Sequence, residues 1–340
     1  MQVKPRHQST TLKMSSTEYT TGYTARSNPV SLVPLVVILG PTGGGKSDLA
    51  IQLAERFSGE IVSADSRLFY RGMDIGTAKP TAADLLRVPH HLIDIADPDE
   101  IWSLGLFQRE ANIAIQKIFA KHHLPFLVGG TGQFVHSIIE GWSIPAVEPD
   151  HRMREVLSQW AKNIGHGELH KKLRLLDPQA ASDIDSLNER RTIRALEVIL
   201  STGRRFSDQK LRGHMLFNPL LLGLTCPRPE LYRRIDERIA KMVTSGFIAE
   251  VKRLLEHGYD PDLPTLSAIG YGEIVAYIQG KISLDEAIIL MKRRTRIFVR
   301  RQANWFKDTD PQIHWFQSGI STVDDMGELI REWLIKLKLD

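Results

Sequence analysis

Short apolar runs bounded by glycine and polar residues fill the first part of the chain, and between them the apolar positions switch to a spacing of three and four. Leu35-Val-Val-Ile-Leu39 is continuous and apolar, which predicts a parallel strand buried on both faces. From Ser47 to about Phe57, Leu49, Leu53 and Phe57 recur with Ala50 and Ala54 at helical spacing, which predicts a helix packed on a sheet. Glu60-Ile-Val-Ser-Ala64 reads as a second strand and His91-Leu-Ile-Asp-Ile95 as a third. Leu124 to Val128 reads as another, running into Gly129-Gly130-Thr131 and a helix that turns Phe134, Val135, Ile138 and Ile139 inward. Strands alternating with helices specify an α/β core with a largely parallel sheet.

The texture changes after Gly141. Trp142 to Pro149 holds two prolines and reads as a linker. From Pro149 to about Arg212 the pattern is helical, with Gly165, Gly167 and Gly203 as breaks, and Phe217 to Leu224 then reads as a returning strand. From Pro229 to the end the pattern is helical again, and no repeat is visible at solenoid periods. The expected organisation is a core (31–144), a helical insertion (145–215), and a return strand with C-terminal helices (216–340). Residues 1–30 are Ser/Thr-rich with a single acid, Glu18, and without apolar periodicity. They read as a disordered extension, with a start at Met14 or an organellar transit segment as alternatives.

Composition adds little to the fold and more to the setting. The chain has 340 residues, 42% hydrophobic and 25% charged, which is ordinary for a globular protein. Its net charge is +4 and its pI 9.1, and the basic residues cluster, which favours polyphosphate, nucleic acid or acidic lipid as partners without choosing among them. The single cysteine, Cys226, can form neither an internal disulfide nor a cysteine zinc site, so a reducing, cytoplasmic setting is expected. No apolar run approaches the roughly 20 residues that span a bilayer, so no membrane association is expected.

The sharpest chemistry is Gly40-Pro41-Thr42-Gly43-Gly44-Gly45-Lys46-Ser47, a G-x-x-x-x-G-K-[ST] string with a strand before it and a helix after it. Glycines let backbone N–H groups converge on an anion, and the helix N-terminus adds the positive end of its dipole. Lys46 supplies a point charge, and Ser47 can hold Mg²⁺. The fold class is therefore α/β, a P-loop NTPase-like parallel sheet core with a helical insertion. The acid that hydrolases of this class place after a strand is missing, because Leu124 to Val128 ends in Gly-Gly-Thr, and Asp94 is the nearest candidate. Asp65, directly after the second strand, belongs to the same sheet edge as the loop. It could hold Mg²⁺, act as a general base or cap the following turn. His90-His91 and His122-His123 are adjacent pairs that do not converge on one ion, so they read as structural.

Several strings together carry a resemblance. The phosphate loop, Asp65-Ser66-Arg67-Leu68-Phe69-Tyr70, Gly72-Met-Asp-Ile-Gly-Thr-Ala-Lys-Pro80, Pro89-His-His-Leu-Ile-Asp94 and Val128-Gly-Gly-Thr131 resemble, in that order, the tRNA dimethylallyltransferases. Arg194-Ala-Leu-Glu-Val198, Gly246-Phe-Ile-Ala-Glu-Val251, Ile269-Gly-Tyr271 and Arg301-Gln302 with Trp305 extend the resemblance over about residues 35–317. It implies transfer of a dimethylallyl group from dimethylallyl diphosphate to N6 of the adenosine 3′ to the anticodon. Thr42 would contact the bridging oxygen of the leaving diphosphate, Lys46 and Ser47 with Mg²⁺ would offset its charge, and Asp65 would take the amine proton. Arg234 and Arg238 share one helix face; the resemblance favours Arg234 for the diphosphate, a solvated face with acidic partners being the alternative.

The same resemblance implies tRNA anticodon stem-loop contacts from Asp65, Ser66, Arg67, Leu68, Thr131 and Arg152. It adds Arg190, Arg191, Thr192, Ile193 and Arg194, and then Ser267, Ala268, Ile269, Gly270, Tyr271 and Gly272. Ile193, Leu196 and Leu200 form an apolar helix face while Arg190 and Arg194 project from another, and Arg204, Arg205, Lys210 and Arg212 extend the basic tract. A second basic cluster runs from Lys292 to Arg301 near Trp305. Ser267 and Gly272 stand where some relatives carry arginine, Phe134 where tyrosine is common, and no Cys/His zinc finger follows the core, so the form is bacterial-like. An adenylate isopentenyltransferase would not need the insertion or the basic clusters, and a small-molecule kinase would not need the Asp65 to Pro80 string. A monomer is expected.

Overall fold

The chain folds around the apolar run Leu35-Val-Val-Ile-Leu39. In the computed structural model, which describes residues 32–145, 147–209 and 215–338, that run forms β1 (Val33–Leu39). Residues 1–30, Lys210 and Arg212 lie outside the described residues. β1 is followed by α1 (Lys46–Arg56), β2 (Gly59–Ser63), the short α2 (Ala82–Arg87), β3 (His90–His91), α3 (Leu104–Ala120), β4 (Leu124–Val128) and α4 (Gly132–Ile139). Next come α5 (His151–Ile164), α6 (His166–Leu176), α7 (Pro178–Asp183), α8 (Glu189–Thr202) and α9 (Phe206–Gln209). The sheet resumes with β5 (Phe217–Thr225), then α10 (Arg228–Thr244), α11 (Phe247–Glu256), α12 (Tyr271–Ile278), α13 (Leu284–Gln302), β6 (Ile313–Gln317) and α14 (Thr322–Lys336).

The six strands are ordered β3-β2-β4-β1-β5-β6 and every pairing is parallel. Parallel strands need both faces covered, and the period-two alternation of β1 shows how this is met. Leu35, Val37 and Leu39 join a core with α3, α4 and α10 to α13, whereas Val36 and Ile38 face the other way onto α1 and α14. Because β4 lies between β1 and β2, the carboxyl ends of the three strands put the phosphate loop, the Gly129-Gly130-Thr131 turn and Asp65 side by side. The helices between α4 and β5 bury a separate small core of Leu157, Leu169, Leu173, Ile184, Ile193 and Leu196.

Two expectations need correction. The strand read from His91 to Ile95 ends at His91, because Leu92 and Asp94 take left-handed backbone angles, φ 61° and 54°. The chain turns there under the Asp65 to Tyr70 segment, and Asp94 and Ile95 donate their N–H groups to the carbonyls of Leu68 and Phe69. The C-terminal stretch is also not all helical, since Ile313-His-Trp-Phe-Gln317 adds to β5 as β6. Its alternation is weak because it is an edge strand with a half-covered face.

One histidine of each adjacent pair braces a buried acid. His91 Nε2 and His123 Nδ1 contact the Glu60 carboxylate at 2.6 and 2.7 Å, with Lys121 at 3.3 Å, and Glu60 is 2% exposed. Those hydrogen bonds hold the Glu60 carboxyl below its ordinary range against the opposing effect of burial.

Candidate functional site

The phosphate loop is shaped by its first glycine. Gly40 has φ 144°, and a Cβ there would sit 2.5 Å from the Leu224 carbonyl oxygen, so only glycine passes between β1 and β5. The loop is tightened by Gly44 N–H donating to Pro41 O at 3.1 Å, and Lys46 Nζ donates to the same oxygen at 2.9 Å. Gly45 caps α1 without a side chain, which leaves the first-turn amides without a side-chain acceptor. Ser47 is exposed in that turn.

Three charged groups meet above this loop. Lys46 is pulled down to about 8 by burial, with Asp65 opposing that shift and Arg238 adding to it. Burial also lowers Arg238, and Asp65 and Asp48 oppose it. Arg238 donates to the Thr77 carbonyl at 3.2 Å and has no bonded carboxylate among the described residues. Arg234 differs: it bonds Glu230 at 2.8 Å and reaches Ser318 at 3.5 Å. Two cations, each lowered chiefly by burial and one of them also by the other, form a site that favours an anion between them. For the free protein, affinity for inorganic diphosphate is therefore expected to fall as pH rises through about 8, where Lys46 loses its proton. Lys46→Arg should hold that affinity to higher pH; titration calorimetry between pH 6.5 and 9.5 checks both.

Asp65 serves its turn and faces the cations at once. Its Oδ1 accepts from Arg67 N–H at 3.0 Å, while Oδ2 has no hydrogen-bond partner among the described residues. The turn-capping and functional readings are thus compatible, one oxygen for each. The segment is fixed behind by aromatic packing: Phe69 stacks on Phe134 at 5.8 Å and Phe134 on Phe107 at 4.1 Å. Phe134 accordingly belongs to the core, 7% exposed. Asp94 pairs with Lys79, which also bonds Asp74 and the Tyr70 carbonyl, so it is an anchor of this segment.

Glu250 carries a role that its place in the helical pattern of the chain does not announce. This α11 residue is 2% exposed and accepts from the N–H groups of Asp74, Ile75 and Gly76 at 3.0, 2.7 and 3.1 Å, and from Tyr271 Oη at 2.6 Å. It pins the loop whose Thr77 carbonyl orients Arg238. Burial and the Glu250 charge hold the Tyr271 hydroxyl well above its ordinary range. A signal existed: Glu250 falls on the stripe Phe247, Val251, Leu254 that the helix buries.

The expected nucleic-acid residues divide by accessibility. Arg67, Arg152, Arg190, Arg191 and Ser267 are exposed, and Ser66, Leu68, Thr131, Ile269 and Gly272 are half-buried. Thr131 is the N-cap of α4, yet its hydroxyl makes no cap bond. Thr192, Ile193, Ala268 and Tyr271 are buried, and Gly270 donates its N–H to Glu273 at 2.7 Å. Arg194, expected to project outward, instead bonds Glu197 at 2.7 Å and the Val147 carbonyl at 2.9 Å. Glu197 has a fully buried side chain and also takes Arg154, so these arginines fasten α8 to α5 and the preceding linker. Leu200 is 58% exposed rather than part of the apolar face. On α13, Arg294 and Arg296 pair with Glu273 and Asp236, leaving Arg293, Arg300 and Arg301 exposed.

The family model described as IPP transferase matches residues 68–309, and one described as Isopentenyl transferase matches residues 33–95. A tRNA dimethylallyltransferase of Roseiflexus sp. is 46% identical over 304 residues, 89% of this chain and 99% of that protein. One from Thermomicrobium roseum is 48% identical over 283 residues, 83% of this chain and 86% of that protein. Among solved structures, the tRNA isopentenylpyrophosphate transferase of Bacillus halodurans matches with TM-score 0.67 and 39% identity, covering 90% of this chain and 98% of that one. A eukaryotic dimethylallyltransferase acting on tRNA matches with TM-score 0.74 and 27% identity, covering 89% and 78%.

Proposed function

The chain belongs to the IPP transferase family, and from that premise we propose that it transfers a dimethylallyl group from dimethylallyl diphosphate to N6 of adenosine 37, 3′-adjacent to the anticodon, in tRNAs reading codons that begin with U. It is a tRNA prenyltransferase. The observation that carries the finer reading is an acid, Asp65, coupled to two cations, Lys46 and Arg238, at one sheet edge. A hydrolase needs a water-positioning acid at the end of β4, where this chain has Gly129-Gly130-Thr131.

In this reading the phosphate loop from Gly40 to Ser47 holds a leaving group. The exocyclic amine is a weak nucleophile because its lone pair is delocalised into the ring. As the N6–C1 bond forms, the allylic C1–O bond breaks and its electron pair leaves with the diphosphate. The amine proton goes to Asp65 Oδ2, the oxygen not engaged by the turn. Lys46, Arg238, the loop amides and the Thr42 hydroxyl meet the charge that develops on the departing oxygen. Mg²⁺ fits a site of this kind, since it uses one or two protein oxygens beside phosphate, and Ser47 offers an exposed hydroxyl at the first turn of α1. When bound it would offset diphosphate charge. Arg234, whose charge Glu230 shares, would add a weaker contact to the diphosphate.

Arg67, Arg152, Arg190, Arg191 and Ser267, being exposed, would touch tRNA phosphates and loop nucleotides directly, and the half-buried Ser66, Leu68, Thr131, Ile269 and Gly272 would add to those contacts. Thr192, Ile193, Arg194, Ala268, Gly270 and Tyr271 hold those surfaces in shape. The target base must leave its stack to reach Asp65. We propose that the protein acts as a monomer, and a cytoplasmic location accords with tRNA as substrate. Among the described residues no helix is long and apolar enough to cross a membrane.

The decisive experiment incubates the protein with Mg²⁺, dimethylallyl diphosphate and an anticodon stem-loop containing three consecutive adenosines, and weighs the released nucleosides. A C5H8 gain on one adenosine is expected. Gain on free adenosine monophosphate alone, or ATP-dependent phosphorylation of a small molecule, would overturn the assignment. A second prediction separates the arginines. Arg238→Gln should raise donor KM by about 10-fold or more, as loss of a charge-assisted contact does. Arg234→Gln should change it less, because Glu230 already shares that charge; the opposite ranking would reverse their roles.

A further inference from the structure

Gln302 is the last residue of α13 and is 5% exposed, at a position that continues the helix's buried stripe of Met291 and Val299. An amide there is costly unless both of its polar atoms are bonded. They are: Oε1 accepts from Thr42 N–H at 2.9 Å, and Nε2 donates to the Gly130 carbonyl at 2.9 Å. The partners lie 260 and 172 residues away, one in the phosphate loop and one at the end of β4. The neighbourhood is cut to admit this side chain. A Cβ on Gly130 would stand 2.3 Å from Gln302 Nε2, and one on Gly132 would stand 2.1 Å from the Trp305 ring. The Gly-Gly-Thr turn that replaces a hydrolytic acid is therefore also the surface on which α13 ends.

Thr42 is gripped through its backbone while its hydroxyl has no hydrogen-bond partner among the described residues. Only a glutamine meets both contacts as they stand. Glutamate would set an oxygen against the Gly130 carbonyl, leucine would satisfy neither group, and asparagine is one methylene short.

We propose that Gln302 is a positioning residue for the transfer step: by clamping the Thr42 amide to the Gly130 carbonyl, it aims the Thr42 hydroxyl at the bridging oxygen of the leaving diphosphate. This rests on the prenyl-transfer reading above. It makes Gln302 act through Thr42, so its effect must vanish when the hydroxyl is gone.

The test is a double-mutant cycle on the full chain with Thr42→Ala, Gln302→Leu and the pair, assayed with saturating stem-loop, varied dimethylallyl diphosphate and Mg²⁺, with thermal melts alongside. Thr42→Ala should lower kcat by about 10²-fold, the usual cost of one donor to a developing oxyanion. Gln302→Leu should lower kcat by about 10-fold with donor KM within about threefold, and the double variant should match Thr42→Ala within about threefold. Gln302→Glu, nearly isosteric, is run through the same cycle and supplies the result if the leucine variant does not fold. Multiplying losses in the double variant, or a lowered melting temperature with unchanged kcat, would overturn the proposal and leave Gln302 a packing residue. A wild-type protein that transfers no prenyl group would instead sink the functional reading on which the proposal stands.

Discussion

Asp65→Ala is expected to cut prenyl-transfer turnover by roughly 10²- to 10⁴-fold, the range for loss of a positioned general base. The carboxylate does two jobs, and a pair of variants tells them apart. Asp65→Asn retains an oxygen for the Arg67 N–H but cannot take a proton. It should lose turnover as fully as alanine does, while alanine alone also loses a turn cap, about 1 kcal/mol. Asp65 additionally raises the basicity of Lys46 and Arg238. Without it Lys46 moves below about 8, so donor affinity should stay close to wild type at pH 6.5 and weaken at a lower pH than in the parent protein. Single-turnover rates with donor binding at several pH values make the comparison. Turnover that survives either substitution removes Asp65 from the chemistry.

Glu250→Ala should destabilise the fold by about 3 kcal/mol or more, an effect at the severe end for a single substitution. Three consecutive amides and one phenol converge on this buried carboxylate, and alanine strands all of them. Tyr271→Phe removes one of the four contacts and should cost about 1 kcal/mol. Denaturant melts measure both. Glu250→Gln distinguishes packing from charge, because a neutral amide keeps one carbonyl oxygen for a cluster that needs two. The loop released by Glu250→Ala carries the Thr77 carbonyl that orients Arg238, so weaker diphosphate binding should accompany the lost stability. A melting profile unchanged from wild type would mean that water replaces the carboxylate, and the loop would not depend on α11.

Much of the site was legible because its parts are local. The phosphate loop declares itself through glycines between a strand and a helix, and Asp65 through its place directly after β2. What escaped were side chains working across hundreds of residues. Gln302 and Glu250 read as ordinary members of helices, yet each is a polar residue on a buried stripe, and Glu197 and Glu273 repeat the pattern in α8 and α12. Such positions must be bonded, but periodicity does not name the partner. Arg194 shows the converse: its exposed-looking placement follows from helical spacing, and its pairing with Glu197 and Val147 depends on how α8 meets the preceding linker.

The sequence by itself determined the α/β core, the succession of its principal strands along the chain and the anion-binding loop, because apolar period, glycine torsion freedom and helix-end electrostatics act over a few residues. Only the tertiary structure decided that β4 lies between β1 and β2, that β6 closes the far edge and that Arg238 stands beside Lys46. It also decided that α13 ends with Gln302 bonded to the loop. Those outcomes depend on desolvation and on hydrogen bonds between distant segments, and both exist only once the sheet has brought those segments together.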